Sequence, residues 1–283
     1  MKRWLRFTAA VLAAAFLFAL TGCGSSTNSA SFTWFVDSIP ANLDPQVASG
    51  ASDVIACENL YGTLVRESPD GELVPGLCEK WTVSPDGLTY TFTLKDGLTY
   101  AAAKGAATEY DITAEDFVFA FRRIFRADTA SPYAVEFSAI QNSAAVQAGL
   151  ADESSLGVSA NGALTLVFRL SERDDNFLAK LALPGAAPCD EAFFESTRGT
   201  YGLTAKTTLS SGSFYLYNWT TNGLFLRRTV ENPLVGNLRL VQDTSGSGKS
   251  AAQLIADGKC SAALDESGEA TSLQTVSYSD TTW

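Results

Sequence analysis

Lys2, Arg3 and Arg6 stand ahead of an apolar run at residues 7–20, which closes on Leu20-Thr21-Gly22-Cys23. Positive charge, then an apolar stretch, then small residues is the order of a secretory signal, and it decides which part of the chain is left to fold. The run, about fourteen residues, falls short of the roughly 20 that a spanning helix needs. Residues 1–22 are therefore expected to be cleaved, and residues 23–30, serine-rich and polar, to form a linker. The folded part then starts at Ser31, on the oxidising side of a membrane.

Leu20-Thr21-Gly22-Cys23 resembles the lipobox of bacterial lipoproteins. That resemblance implies that the Cys23 thiol carries a diacylglyceryl group and becomes the first residue after cleavage. Two or three acyl chains give the double apolar signal that stable anchoring requires. The alternative is an ordinary signal peptide with a chance cysteine.

The formal charge is −11, and loss of the three basic residues of the leader makes it more negative. Nucleic acid is excluded as a partner, because phosphate binding needs clustered Lys and Arg, and the longest basic clusters are Arg122-Arg123 and Arg227-Arg228. A hydrophobic fraction of 46% over a mature chain of about 260 residues suffices for two packed domains. The chain has no histidine, and Cys57, Cys78, Cys189 and Cys260 show no CxxC spacing, so neither a metal site nor a bound cofactor is expected. Four thiols allow three pairings, and buried unpaired thiols are the other reading.

Residues 31–36 alternate as an entering strand, and Pro40 and Pro45 hold 37–46 as an extended loop. A helix is predicted over about 52–66, with Ser52 as N-cap and Ile55, Leu60 and Leu64 on its apolar side. Turns at Pro69-Asp70-Gly71, Pro85-Asp86-Gly87 and Asp96-Gly97 delimit strands, among them the alternating run 88–94. Thr113-Ala114-Glu115-Asp116 opens a helix in capping-box style, with Phe117, Phe121, Ile124 and Phe125 as its apolar stripe. Residues 163–170 read as a strand, 175–183 as a short helix, and 211–219 with 224–228 as a hairpin.

The order Leu43-Asp44-Pro45, Asn59-Leu60-Tyr61-Gly62-Thr63-Leu64-Val65, Pro75-Gly76-Leu77, Trp81, Ser84-Pro85-Asp86-Gly87-Leu88-Thr89-Tyr90-Thr91-Phe92, Thr113-Ala114-Glu115-Asp116-Phe117 and Thr129-Ala130-Ser131-Pro132-Tyr133-Ala134 is similar to one known family. It is the peptide/nickel-binding family (family 5) of extracytoplasmic solute-binding lipoproteins that serve ABC importers. The hairpin leading to Asn232-Pro233 is similar too, although members usually carry tyrosine where Phe214 stands and an aromatic pair after the Asn-Pro.

The resemblance implies an α/β fold: a periplasmic-binding-protein-like mixed sheet domain with an inserted α+β domain. Residues 31–45 and 165–283 would form domain I and residues 46–164 the inserted domain II. The third domain, the second lobe of the family, is expected to be absent, since a member would cross the hinge where Trp283 stands. A cleft lacking that wall stays wet and holds ligand weakly. Asp37, Ser38 and Ile39 and Tyr133 are the residues expected to face the ligand, with Gly212 behind them; for Tyr133 the alternative is a core aromatic beside Pro132. Cys57 and Cys78 would form the disulfide if any pair does, because both fall in the inserted domain. The implied partners are a peptide or small solute, the permease subunits of an ABC transporter, and the membrane through the lipid anchor.

No enzyme is expected. Without histidine no Ser-His-Asp or Cys-His arrangement can be built, and Glu153, Asp174-Asp175 and Asp265-Glu266 read as loop or surface carboxylates. Gly248-Lys249-Ser250 suggests a phosphate loop, but Asp243 stands where the first glycine must be. Other readings are a surface lipoprotein of structural or adhesive role and a truncated fragment that binds nothing.

Overall fold

A computed structural model of the chain describes residues 30–229, 235–242 and 248–263. The chain enters as β1 (Ser31–Phe35), crosses the extended segment 37–46 and forms α1 (Ala51–Leu60). Short strands follow: β2 (Val65–Glu67), β3 (Leu73–Pro75), β4 (Cys78–Val83), β5 (Thr89–Leu94), β6 (Thr99–Ala102) and β7 (Ala107–Asp111). Then come α2 (Ala114–Phe125), α3 (Ser143–Gln147), β8 (Val158–Ala160), β9 (Thr165–Arg169), α4 (Phe177–Lys180) and α5 (Glu191–Ser196). β10 (Leu209–Ser210), β11 (Phe214–Thr220), β12 (Gly223–Arg228), β13 (Asn237–Val241), α6 (Ala251–Ala256) and β14 (Ala262–Ala263) complete the described order.

Two sheets organise two cores. The first has the order β11-β12-β13-β1-β14, with β1 parallel to both its neighbours and β12 antiparallel to both of its own. Strand alternation puts Trp34, Leu224, Leu226, Leu238 and Leu240 on one face, and Ala56, Cys57 and Leu60 of α1 cover it. The second sheet, β4-β5-β9-β8, is antiparallel throughout. Phe92 and Phe168 project from it against Phe117, Phe121, Ile124 and Phe125 of α2, and the Phe121 and Phe168 rings meet edge to face at 4.9 Å. The apolar stripe read from the sequence is this contact.

α2 starts where its chemistry says it should. The Thr113 N–H donates to Asp116 Oδ2 at 2.7 Å, while Glu115 and Asp116 face the positive helix end and Arg122 and Arg123 the negative one. The segment after β1 behaves otherwise than predicted. α1 follows Gly50, Ser52 lies inside it and is buried, and it ends at Leu60 rather than near 66. Tyr61 turns extended because Leu64 and Val65 belong to the other core, so the chain must leave one apolar layer and enter the next.

The expected domain division also shifts. β9 is hydrogen-bonded between β5 and β8, so a boundary at 164/165 would cut through a sheet. Conversely α1, expected in the inserted domain, packs on the first sheet. The same partition separates the expected disulfide partners: Cys57 lies in the first core and Cys78 in the second, and both are free, buried thiols. Burial lifts the Cys57 thiol well above its ordinary pKa, which leaves it inert. No helix among the described residues is long and apolar enough to cross a membrane.

Candidate functional site

A cleft of about 1230 Å³ opens where the end of α1, the β2–β3 hairpin, β6 and the turn from β10 to β11 come together. Small residues keep its walls close to the main chain. Gly212 forms part of one wall: its N–H donates to Leu60 O at 2.8 Å, and an added Cβ would lie 2.8 Å from the Tyr61 carbonyl carbon. Gly62 returns the approach, its N–H accepted by Ser211 Oγ at 3.1 Å. Only glycine permits two backbones this near. Two acids, Glu58 and Glu67, and two bases, Arg66 and Lys95, line the cleft, so it carries no net formal charge.

Tyr61 connects this wall to a buried ion pair. Its hydroxyl donates to Leu43 O at 2.6 Å, and the next residue, Asp44, pairs with Arg123 of α2. Nη2 of Arg123 meets Asp44 Oδ2 at 2.5 Å, and Nη1 donates to Asp44 Oδ1 at 3.3 Å and to Gln46 Oε1 at 2.6 Å. The guanidinium lies 4.0 Å from the centre of the Phe194 ring. Burial disfavours the cation, but the charge and hydrogen bonds of the Asp44 carboxylate hold Arg123 protonated. Cys189 is pushed up to about 12 by burial. At the other end of α2, burial and the nearby Asp190 raise the Asp116 carboxyl to about 7, against the lowering effect of the Thr113 N–H.

Of the five residues expected at the ligand, Gly212 alone lines the cleft. Asp37 and Ser38 are exposed and Ile39 half-buried in the loop beyond β1, where Gln242 Nε2 donates to Asp37 O at 2.6 Å. Tyr133 is buried in the second core, its hydroxyl donating to Ala48 O at 3.3 Å and its ring close against Gly185, which has no Cβ to obstruct it. The reading beside Pro132 is thus the one its packing favours. Cys23, Asn232-Pro233, Asp243, Asp265 and Glu266 lie outside the described residues.

The residues missed in the sequence are Asp44, Gln46 and Arg123, and the cleft-lining Thr99 and Ser210. A charge within the apolar stripe of α2 was the available signal, since a buried cation demands a partner. Of the carboxylates singled out in the sequence, those described have separate partners: Glu153 pairs with Arg126, Asp174 with Lys180 and Asp175 with Arg173. A bound phosphate is not needed to explain Gly248-Lys249-Ser250, because Ser250 caps α6 by accepting from the Gln253 N–H at 3.3 Å and Lys249 pairs with Asp257. Among the described residues no group of three or more Cys, Asp or Glu is placed to hold a metal ion.

Residues 72–229 match the bacterial extracellular solute-binding proteins, family 5 middle region. The oligopeptide-binding protein AliA of Streptococcus pneumoniae is 28% identical over 222 residues, 78% of this chain and 32% of AliA. The periplasmic murein peptide-binding protein MppA of Escherichia coli is 35% identical over 135 residues, 47% of this chain and 24% of MppA. The substrate-binding domain of an oligopeptide ABC transporter from Bacillus anthracis superposes with a TM-score of 0.70 at 26% identity, covering 81% of this chain and 44% of the other. The chain thus spans a quarter to a third of the length of these curated relatives.

Proposed function

Because the chain belongs to family 5 of the bacterial extracellular solute-binding proteins, we propose that it provides a solute-capturing face for an ABC importer, with peptides as the solute class. The cleft is the observation that carries this reading. Its volume of about 1230 Å³ exceeds the roughly 300–1,000 Å³ of pockets for single small molecules, which leaves room for an oligomeric solute. Balanced acids and bases around it suit a zwitterion better than a phosphate or a metal ion. The relatives named for oligopeptides and murein peptides support the same class.

Capture of this kind is binding and release, without bond chemistry. Gly212 and Gly62 bring main-chain groups to the cleft wall, and Tyr61 ties that wall to the Asp44–Arg123 pair so that it keeps its shape. A second candidate surface is the loop Asp37-Ser38-Ile39, favoured by its place beyond the carboxyl end of the parallel strand β1, where open α/β sheets take ligands. Cys23 would hold the chain at the membrane, on the extracytoplasmic face beside the permease subunits. Calorimetry of the full chain against a pool of tri- to pentapeptides tests the function. Saturable heat is expected; none up to about 1 mM peptide, where binding contributes only about 4 kcal/mol, would overturn it.

A further inference from the structure

The first sheet is positively charged on one face, in a chain whose formal charge is −11. β1, β11, β12 and β13 contain three arginines and no aspartate or glutamate. Leu226, Leu238 and Leu240 point into the core under α1, so by strand alternation Phe225, Arg227, Asn237 and Arg239 point the other way. β12 and β13 set Arg227 opposite Asn237 and Phe225 opposite Arg239, which makes the two arginines diagonal neighbours. Such positions lie about 7–8 Å apart, within reach of long side chains. Both arginines are exposed, and among the described residues neither is ion-paired. Two like charges this near repel, and an anion lying between them turns that cost into attraction.

The arginines line a hollow of about 200 Å³ together with Tyr217, Asn218, Phe225 and Asn237. The Arg227 guanidinium lies 3.5 Å from the centre of the Tyr217 ring, which takes up its flat face and leaves the N–H groups along its edge able to donate. Tyr217 is 37% exposed, an amphipathic ring of the kind that settles at a membrane–water boundary.

The entry of the chain indicates which anion is near. Ala30 O accepts from the Gly236 N–H at 3.0 Å and from the Asn237 N–H at 3.3 Å, so the linker ends beside the hollow. The stretch from Cys23 to Ala30 reaches at most about 25 Å. A compact body of about 230 residues is about 45 Å across. With Cys23 in the membrane, the side of the body that carries Ala30 must therefore stay nearest to the lipid.

We infer that this hollow is a docking surface for anionic phospholipid headgroups, whose phosphates seat between Arg227 and Arg239 and turn the first sheet toward the membrane that holds Cys23. The inference rests on the Cys23 anchor proposed above and is independent of what the cleft captures. An acidic body is repelled as a whole by an anionic surface, and a local attraction at its tethered end gives it a single favoured orientation there.

The test measures phenylglyoxal modification of single arginines by peptide mass mapping. It uses the full chain purified from membranes and inserted into preformed vesicles, with acylation of Cys23 read in the same spectra. Vesicles of phosphatidylcholine alone are compared with vesicles in which about a third of the lipid is phosphatidylglycerol. In the anionic vesicles, modification of Arg227 and Arg239 is expected to slow about tenfold or more, because each arginine at such a surface strengthens contact about fivefold, and to recover in about 0.5 M salt. Arg169, exposed on the second sheet, should react at one rate throughout. Arg239→Gln, a surface change, should cost Arg227 about fivefold of its protection. Equal rates at Arg227 in the two kinds of vesicle, with Cys23 acylated, would overturn the docking and leave the anchor standing. Protection by millimolar inorganic phosphate in neutral detergent would overturn it too, by making the hollow a site for a free anion. Protection that grows with protein concentration in the same detergent would do so by assigning the face to a second copy of the chain. Protein recovered with no acyl group on Cys23 removes the anchor and the docking together.

Discussion

Asp44→Asn tests the ion pair that joins the two cores. The side-chain amide keeps an oxygen for the Gln46 N–H, which Asp44 Oδ1 accepts at 3.1 Å, but puts an amide donor or a neutral oxygen where a carboxylate oxygen now meets Arg123 Nη2 at 2.5 Å. Arg123 is 3% exposed and cannot reach water, so its charge is left underpaired. Removing one partner of a buried pair costs about 3–5 kcal/mol. Gln46 and the Phe194 ring remain against the guanidinium, which places the expected loss near the lower end, about 3 kcal/mol. With a urea slope of about 2–3 kcal/mol per M, the unfolding midpoint should fall by about 1–1.5 M. Fluorescence-detected urea titration measures it. The double variant Asp44→Asn with Arg123→Met should recover most of the loss, because an apolar side chain in that site needs no counter-charge. A single-variant cost below about 1 kcal/mol, or a double variant no more stable than the single, would contradict the claim that an uncompensated charge is what destabilises.

Stability should also depend on Asp116. Its folded pKa of about 7 stands above the unfolded value of 3.8, so its contribution is complete below pH 3.8 and is lost as pH rises towards 7, at most about 4 kcal/mol; Asp116→Asn should flatten that part of a denaturation series run from about pH 4 to 8, and an unchanged slope would show that the proton resides elsewhere. Gly185→Ala would drive a Cβ to 2.4 Å from the Tyr133 ring, and a loss of about 1–3 kcal/mol is expected by the same titration; a neutral effect would mean that the Tyr133 ring yields freely. Cys23→Ala should shift the protein from the membrane to the soluble fraction, and recovery of acylated variant in the membrane would place the anchor at another residue.

The local elements were legible in the sequence because their causes lie within a few residues of each other. Pro85-Asp86-Gly87 makes its turn with Ser84 and Asp86 side chains bonded inside it, and Thr113 with Asp116 starts α2 whatever packs on it later. The alternation from Thr89 to Leu94 and the stripe from Phe117 to Phe125 likewise marked the inward faces of a strand and a helix. Of the candidate site, Gly212 was expected in advance, through the family resemblance rather than from a local signal.

Residue order alone thus accounts for the elements with local caps, turns or clear side-chain periods, and for the ordered blocks that place the chain in its family. Packing settled which apolar layer each element joins: it ends α1 at Leu60, puts β9 between β5 and β8, and sends Cys57 and Cys78 into separate cores. Packing also settled that Asp44 finds Arg123 from 79 residues away, and that Arg227 and Arg239 come to one face of the first sheet. The difference is one of range. Caps, turns and side-chain periods act between near neighbours and are written locally, whereas a buried charge or an exposed pair of like charges is defined by the distant segment that does or does not come to meet it.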